Sequence, residues 1–291
     1  MTAIKAGIAS NINKLTKKQA KLAKYIYDNL CNVALMNAPQ IAAAAGVSEG
    51  TLTRFVYSLG YNSFSDFHRE LRIETQGQNN DRNPFRQVSY EKGKIPIYRK
   101  IFALEQGLMN ETMALIDPQV FDKCVDLISS AESVILIGGP TQQHLIQYFA
   151  DYLSIFRENV HVVNQLNMGF FGNLTSLNKN SVAFVISYPR YPKETLKIID
   201  TIASNGTTII AVTDSELSPV VKHAKHTIIT PLKYILFVEP IAAATSIIHS
   251  LLLGLYFQNE ENIKVRMKKY EDYILAADMF EFKDYNFADM L

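Results

Sequence analysis

Residues 37–60 read Asn-Ala-Pro-Gln-Ile-Ala-Ala-Ala-Ala-Gly-Val-Ser-Glu-Gly-Thr-Leu-Thr-Arg-Phe-Val-Tyr-Ser-Leu-Gly, a spacing that predicts two short helices joined by a tight turn. Asn37 can cap a first helix with Ile41, Ala42 and Ala45 on its inner side, Gly46 ends it, and Ser48 caps a second through its side-chain oxygen. A glycine-containing turn of this length between two helices is the helix-turn-helix arrangement. In the second helix Leu52, Phe55, Val56 and Leu59 share one stripe, which leaves Ser48, Glu49, Thr51, Thr53, Arg54 and Tyr57 outside.

The outer side is short, polar and carries one arginine. In such units the amino-terminal residues of the second helix approach base edges in the major groove, while hydroxyls and helix amino ends hold phosphates. Ser48 and Thr51 are therefore expected on phosphate and Arg54 on a guanine edge or a phosphate of double-stranded DNA, with Glu49, Thr53 and Tyr57 on the same face. Residues 1–74 contain nine Lys/Arg against five Asp/Glu, although the whole chain of 291 residues has a net charge of only +1. Lys14, Lys17, Lys18, Lys21 and Lys24 lie on or just before the preceding helix, and Lys17 and Lys18 are expected to reach the DNA backbone. Each phosphate neutralised would add about one unit of salt dependence. The alternatives are a solvated basic face and an ordinary helical hairpin within a core.

The rest of the chain divides by pattern. Thr16 is expected to cap a helix over residues 17–29, and Ser63 or Ser65 another beyond Gly60, so residues 1–75 form an all-α domain. Residues 76–96 are polar and broken by Gly77, Pro84, Gly93 and Pro96, and are expected to be a linker. Residues 97–291 form the second domain, opening with helices over 97–116 and, capped by Asp117, 118–129. Short β-branched runs follow at 134–137, 160–163, 182–186, 208–212 and 227–229, with helical segments at 142–157, 193–204 and 218–224 between them. That alternation predicts a doubly wound parallel α/β sheet, closed by helices over 239–257 and 260–276. Hydrophobic residues make up 48% of the chain, enough for a sizeable core in each domain.

No run reaches the ~18 apolar residues of a membrane span, and the amino end lacks the apolar core of a secretory signal. Cys31 and Cys124 stand far apart without metal-ligand neighbours. The cytoplasm is the expected location, with no membrane partner.

In an open parallel sheet ligands bind beyond the carboxyl ends of the strands, near the switch in strand order. The loops there are Gly138-Gly-Pro-Thr141-Gln142, Ser187-Tyr-Pro-Arg190-Tyr191-Pro-Lys-Glu-Thr195 and Thr213-Asp-Ser215. Gly138, Thr141, Gln142, Ser187, Arg190, Tyr191 and Thr213 bring hydroxyls, an amide, a guanidinium and helix amino ends to one edge, which suits an anionic sugar such as a sugar phosphate. The competing reading makes Gly138-Gly139 a tight turn and Ser187 and Thr213 caps. Glu239 is a further candidate ligand contact at the start of a helix, where an acidic first-turn residue is also expected. An isomerase would need an acid and a base over a sugar carbonyl, for which Glu194, Glu239 and His249 are the available groups. His223-Ala-Lys-His226 lacks a third metal ligand; no metal, cofactor or catalytic residue is expected.

Taken together these residues resemble the RpiR family of bacterial transcriptional regulators, a helix-turn-helix followed by a sugar isomerase (SIS) domain of flavodoxin-like build. The resemblance is carried by Leu15-Thr-Lys-Lys-Gln19, Gly46-Val-Ser-Glu-Gly-Thr-Leu-Thr-Arg54, Leu59-Gly-Tyr-Asn-Ser-Phe64, residues 186–195 and Ala211-Val-Thr-Asp-Ser215. It implies a homodimeric or homotetrameric repressor or activator of sugar catabolism genes whose second domain binds a phosphorylated sugar or amino sugar. The chain departs from that pattern. Where the family tends to have Gly-x-Gly-x-Ser it has Gly138-Gly-Pro-Thr-Gln142, and where Ser-x-Ser-Gly-x-Thr is common it has Ser187-Tyr-Pro-Arg-Tyr-Pro192. Three outcomes stay open: Arg190 replaces the hydroxyls, the effector is a different anion, or the domain serves mainly for oligomerisation.

Overall fold

The computed structural model describes residues 3–12, 15–34, 36–75, 96–234, 237–282 and 286–290. The expected linker, apart from Pro96, lies outside them. The chain forms two compact units: Met1–Lys94 with Glu216–Ser218 and Pro231–Pro240, and Ile95–Ser215 with Pro219–Thr230 and Ile241–Leu291.

The first unit contains α1 (Ala3–Asn11), α2 (Lys17–Asp28), the short α3 (Leu30–Val33), α4 (Ala38–Ala45), α5 (Glu49–Ser58) and α6 (Phe64–Thr75). Side chains at helical spacing, Leu22, Ile26, Ile41, Leu52, Phe55, Phe67 and Leu71, converge on one core joined by Ile4 and Ile8 of α1. Burying each large apolar side chain contributes about 1.5 to 3 kcal/mol. The caps fix where the helices start. Thr16 and Gln19 form a reciprocal capping box on α2, and Asn37 and Gln40 form another on α4. Gly46 then reverses the chain at φ 65°, its N–H bonded to the Ala42 and Ala43 carbonyls. Ser63 accepts from the Asp66 N–H at 3.1 Å and starts α6.

The second unit opens with α7 (Ile97–Leu115) and α8 (Pro118–Ser130), the latter capped by Asp117, whose carboxylate accepts from the Gln119 N–H. There follow β1 (Ser133–Gly138), α9 (Gln143–Phe156), β2 (Val160–Val163), α10 (Met168–Leu174), β3 (Ser181–Ser187), α11 (Lys193–Ser204), β4 (Thr208–Thr213), β5 (His226–Ile229), α12 (Ala242–Gln258) and α13 (Glu260–Ala276). The sheet is parallel, with order β2-β1-β3-β4-β5. β1 and β3 are buried along their whole length, which is why they read as continuous apolar runs. The connection from β1 runs outward to β2 and the one from β2 crosses back past β1 to β3, so the switch in strand order lies between β1 and β3. Arg157 locks the end of α9 by donating to the Ile128 and Ala131 carbonyls.

Several elements differ from the sequence expectation. The segment 218–224 forms only a single 3-10 turn, Val221–His223. β5 begins at His226, and Lys225 already donates to the Ile209 carbonyl at 2.8 Å, so the chain has no room for an α-helix before the strand. α12 begins at Ala242, not at residue 239, because its first N–H is taken by Glu105 Oε2 of α7 at 3.1 Å. The sequence pattern predicts no helix at α1, α3 or α10.

Candidate functional site

The outward side of α5 presents Glu49, Thr53, Arg54 and Tyr57, all exposed. Two of these side chains are steadied by their own helix: Thr53 Oγ1 donates to the Glu49 carbonyl and Arg54 Nε to the Gly50 carbonyl, each at 3.1 Å. The Arg54 fork is thereby held along the helix without contacting a core group.

Two residues of this face behave differently from expectation. Thr51 is only 6% exposed and its Oγ1 lies 3.0 Å from Ser48 Oγ, so it faces the turn and not the outside. Ser48 does stand at the N-cap of α5 with extended backbone, but its side chain bonds this hydroxyl and makes no cap bond to the helix N–H groups. The physical reason is local competition: a hydroxyl three residues on is as reachable as the backbone donor. Lys17 and Lys18 are exposed on the first turn of α2. Lys24 is paired with Asp28 at 3.2 Å, and the Lys21 ammonium rests 2.6 Å from where a Cβ on Gly46 would stand, over the α4–α5 turn. A cation there suits the carboxyl end of α4. Lys14 lies outside the described residues.

In the second unit the three loops meet at the carboxyl edge of the sheet. The Gly139 N–H donates to the Ile186 carbonyl at 3.4 Å, tying the turn after β1 to β3. Ser187 stands opposite Thr213 in register, and Thr213 Oγ1 donates to the Ser187 carbonyl at 2.6 Å. Asp214 Oδ1 accepts from Tyr191 OH at 2.6 Å, and Tyr188 OH lies 2.6 Å from Thr230 Oγ1. Ser187 Oγ is fully buried and has no hydrogen-bond partner among the described residues. Gln142 is buried, its Nε2 donating to Thr141 Oγ1 at 2.6 Å. Arg190 is exposed and, like Tyr191, sits in the left-handed region, at φ 80° and 33° respectively.

Gly138 has a packing reason for lacking a side chain, since a Cβ there would lie 2.7 Å from Ile146 Cγ1 of α9. Glu239 falls in the first unit, where Tyr234 OH donates to its Oε2 at 3.1 Å, and it precedes α12 instead of opening it. Glu194 accepts from the Leu166 N–H at 3.0 Å, a loop-bracing role. His249 is hydrogen-bonded to Tyr148 OH at 3.0 Å, and His223 Nε2 lies 2.6 Å from an Asp200 carboxylate oxygen. Among the described residues no group of three or more His, Cys, Asp or Glu could hold a metal ion. Burial pushes the Cys124 thiol up to about 12, which makes it an inert core group. Tyr188, Pro192 and Asp214 contribute to this edge beyond the residues expected from the sequence. Their signal was position: all lie within a few residues of a strand's carboxyl end.

A model of the helix-turn-helix domain, rpiR family, matches residues 2–78, and the SIS domain model matches residues 127–254. An uncharacterised HTH-type transcriptional regulator of Clostridium perfringens is 29% identical over 210 residues, covering 72% of this chain and 75% of the relative. The sugar isomerase domain of an RpiR transcription factor from Sphaerobacter thermophilus superposes with a TM-score of 0.58 at 18% identity, covering 60% of this chain and 98% of that one. The Vibrio vulnificus NanR protein, solved in complex with ManNAc-6P, superposes with a TM-score of 0.57 at 16% identity, covering 94% of this chain and 98% of that one. At these identities the two structures establish the fold. A helix-turn-helix domain of the rpiR type followed by a SIS domain, in a chain whose relatives are transcriptional regulators, places this protein in the RpiR family of transcriptional regulators.

Proposed function

We propose that this regulator acts in the cytoplasm as a homodimer or homotetramer on operators beside genes of sugar or amino-sugar catabolism, as a repressor or activator, under the control of an anionic sugar held at the carboxyl edge of its sheet. The observation that carries the DNA half is the α5 face: Glu49, Thr53, Arg54 and Tyr57 are exposed together, and the Arg54 guanidinium is held by its own helix. Two such helices in a dimer would occupy half-sites about 34 to 36 Å apart. Support for self-association comes from apolar side chains left in water on α9 and α12, where Tyr152 is 44%, Leu253 57% and Phe257 71% exposed. For the effector, the support is an exposed arginine in strained backbone beside buried hydroxyls, together with NanR, a fold neighbour bound to a sugar phosphate. A coupling of ~1 to 3 kcal/mol between effector and operator would suffice for regulation.

The test is to incubate the purified protein with fragmented genomic DNA at near-physiological salt and sequence what is retained, with Arg54→Ala as control. A few enriched palindromic sites next to sugar uptake or breakdown genes, lost in the variant, are expected. Retention indistinguishable between the two proteins would refute the assignment of α5.

A further inference from the structure

The amino end of a helix that follows a strand at the switch in strand order is the default seat for an anion in a parallel α/β sheet. Here that seat belongs to α9, which follows β1. The turn in front of it is packed from within, although Gln142 makes no side-chain cap bond to the helix N–H groups. Gln142 occupies the N-cap position of α9 and is 2% exposed. Its amide folds back over the turn, so that Oε1 stands where any Cβ on Gly139 would collide with it. From the loop after β3, Pro192 closes on the same spot, its Cγ 3.4 Å from that Cβ position. Gly139 leaves space that a side chain would have taken, and an amide and a proline ring occupy it.

We infer that Gln142 and Pro192 are specificity residues that shut the β1 turn to phosphate, so that the effector's anionic group stays at the rim, beside the exposed Arg190 guanidinium. Three observations converge on this. The turn's interior is already packed by neutral groups of the chain. Ser187 Oγ, buried at the end of β3 and without a hydrogen-bond partner among the described residues, is a neutral group that offers an incoming charge no compensation. Asp214, 8% exposed at the end of β4, adds a carboxylate to the same edge, and a dianion is opposed by it more than a monoanion is. The inference rests on the effector-site reading above, but its test involves no DNA, so the two can fail separately.

The test titrates inorganic phosphate and, separately, glucose 6-phosphate into the full-length protein, following the backbone amide signals of Gly138 and Gly139 by NMR. In the wild-type protein neither compound should move these signals at millimolar concentration. The double variant Gln142→Ser, Pro192→Thr, which trades both packed groups for hydroxyls, should gain at least tenfold in phosphate affinity, with the shifts centred on the two glycines. The inference is overturned if wild-type glycine signals respond to phosphate and the response weakens in Gln142→Ala, because Gln142 would then be a ligand and not a plug. It is equally overturned if the double variant melts as the wild type does and still binds no phosphate. Should that variant fail to fold, the wild-type titration alone decides.

Discussion

The outer face of α5 and the carboxyl edge of the sheet carry similar chemistry, a few hydroxyls, one arginine and a tyrosine, yet they are built in opposite ways. On α5 the side chains stand in water and bond their own helix, as Thr53 and Arg54 do at 3.1 Å. At the sheet edge Gln142, Ser187, Tyr188, Thr213 and Asp214 are buried, and the bonds run between different strands and loops. A face that meets a rigid, charged duplex needs only correct spacing, because affinity comes largely from phosphates and the partner supplies the groove. An edge that is proposed to meet a small molecule must build the groove itself, and here its polar groups are fixed from several directions. The same residue types are thus adaptable in one place and preset in the other.

The largest test of this contrast removes a core phenylalanine from each unit. Phe55→Ala and Phe184→Ala should each cost about 3 to 5 kcal/mol. In the smaller helical unit, with less surface buried per residue, that loss should abolish folding and DNA retention; in the sheet unit it should lower the melting temperature and leave a folded edge. Circular dichroism with the DNA retention assay separates the two, and equal damage to both functions would break the distinction. A smaller effect is expected from Asn37→Ala, which deletes the α4 capping box and should destabilise the helical unit by about 1 kcal/mol while leaving the effector edge unchanged. The smallest concerns pH. His226, at the start of β5, is held below the ordinary imidazole range by burial and then by Lys225 and Lys123. Its neutral form is the one that fits the fold, so the stability it contributes is present above about pH 6.5 and is lost as pH falls through the lowered folded value. Melting curves of the wild type should decline over that window, and His226→Gln should flatten part of the decline.

The elements most legible in the sequence are those fixed by local chemistry. Asn37, Gly46, Asp117 and the β-branched runs at β1 and β3 each announce a cap, a reversal or a doubly covered strand within a few residues. Elements that depend on distant partners were not legible. α10 spans seven residues, too few for a periodic stripe, and α12 starts where Glu105 of α7 happens to reach its first N–H. In the same way, helical spacing put Thr51 outside, but spacing knows nothing of the hydroxyl of Ser48 that draws it into the turn. For the sheet edge, strand ends pointed to three loops that do meet in the structure. That Gln142 and Pro192 would close on Gly139 depends on how two loops, fifty residues apart, are pressed together, which no window along the chain contains.

The left-handed backbone at Arg190, φ 80°, has a consequence for selection. Glycine adopts that conformation without strain, and asparagine nearly so. A library of this chain sorted only for survival of heating should therefore drift toward glycine at position 190, whereas one sorted for response to the proposed effector should keep arginine. Where the two enrichments part company, heat tolerance and signalling are being drawn from the same few degrees of torsion, and a record of such drift in a laboratory lineage would show which of them the lineage had been living under.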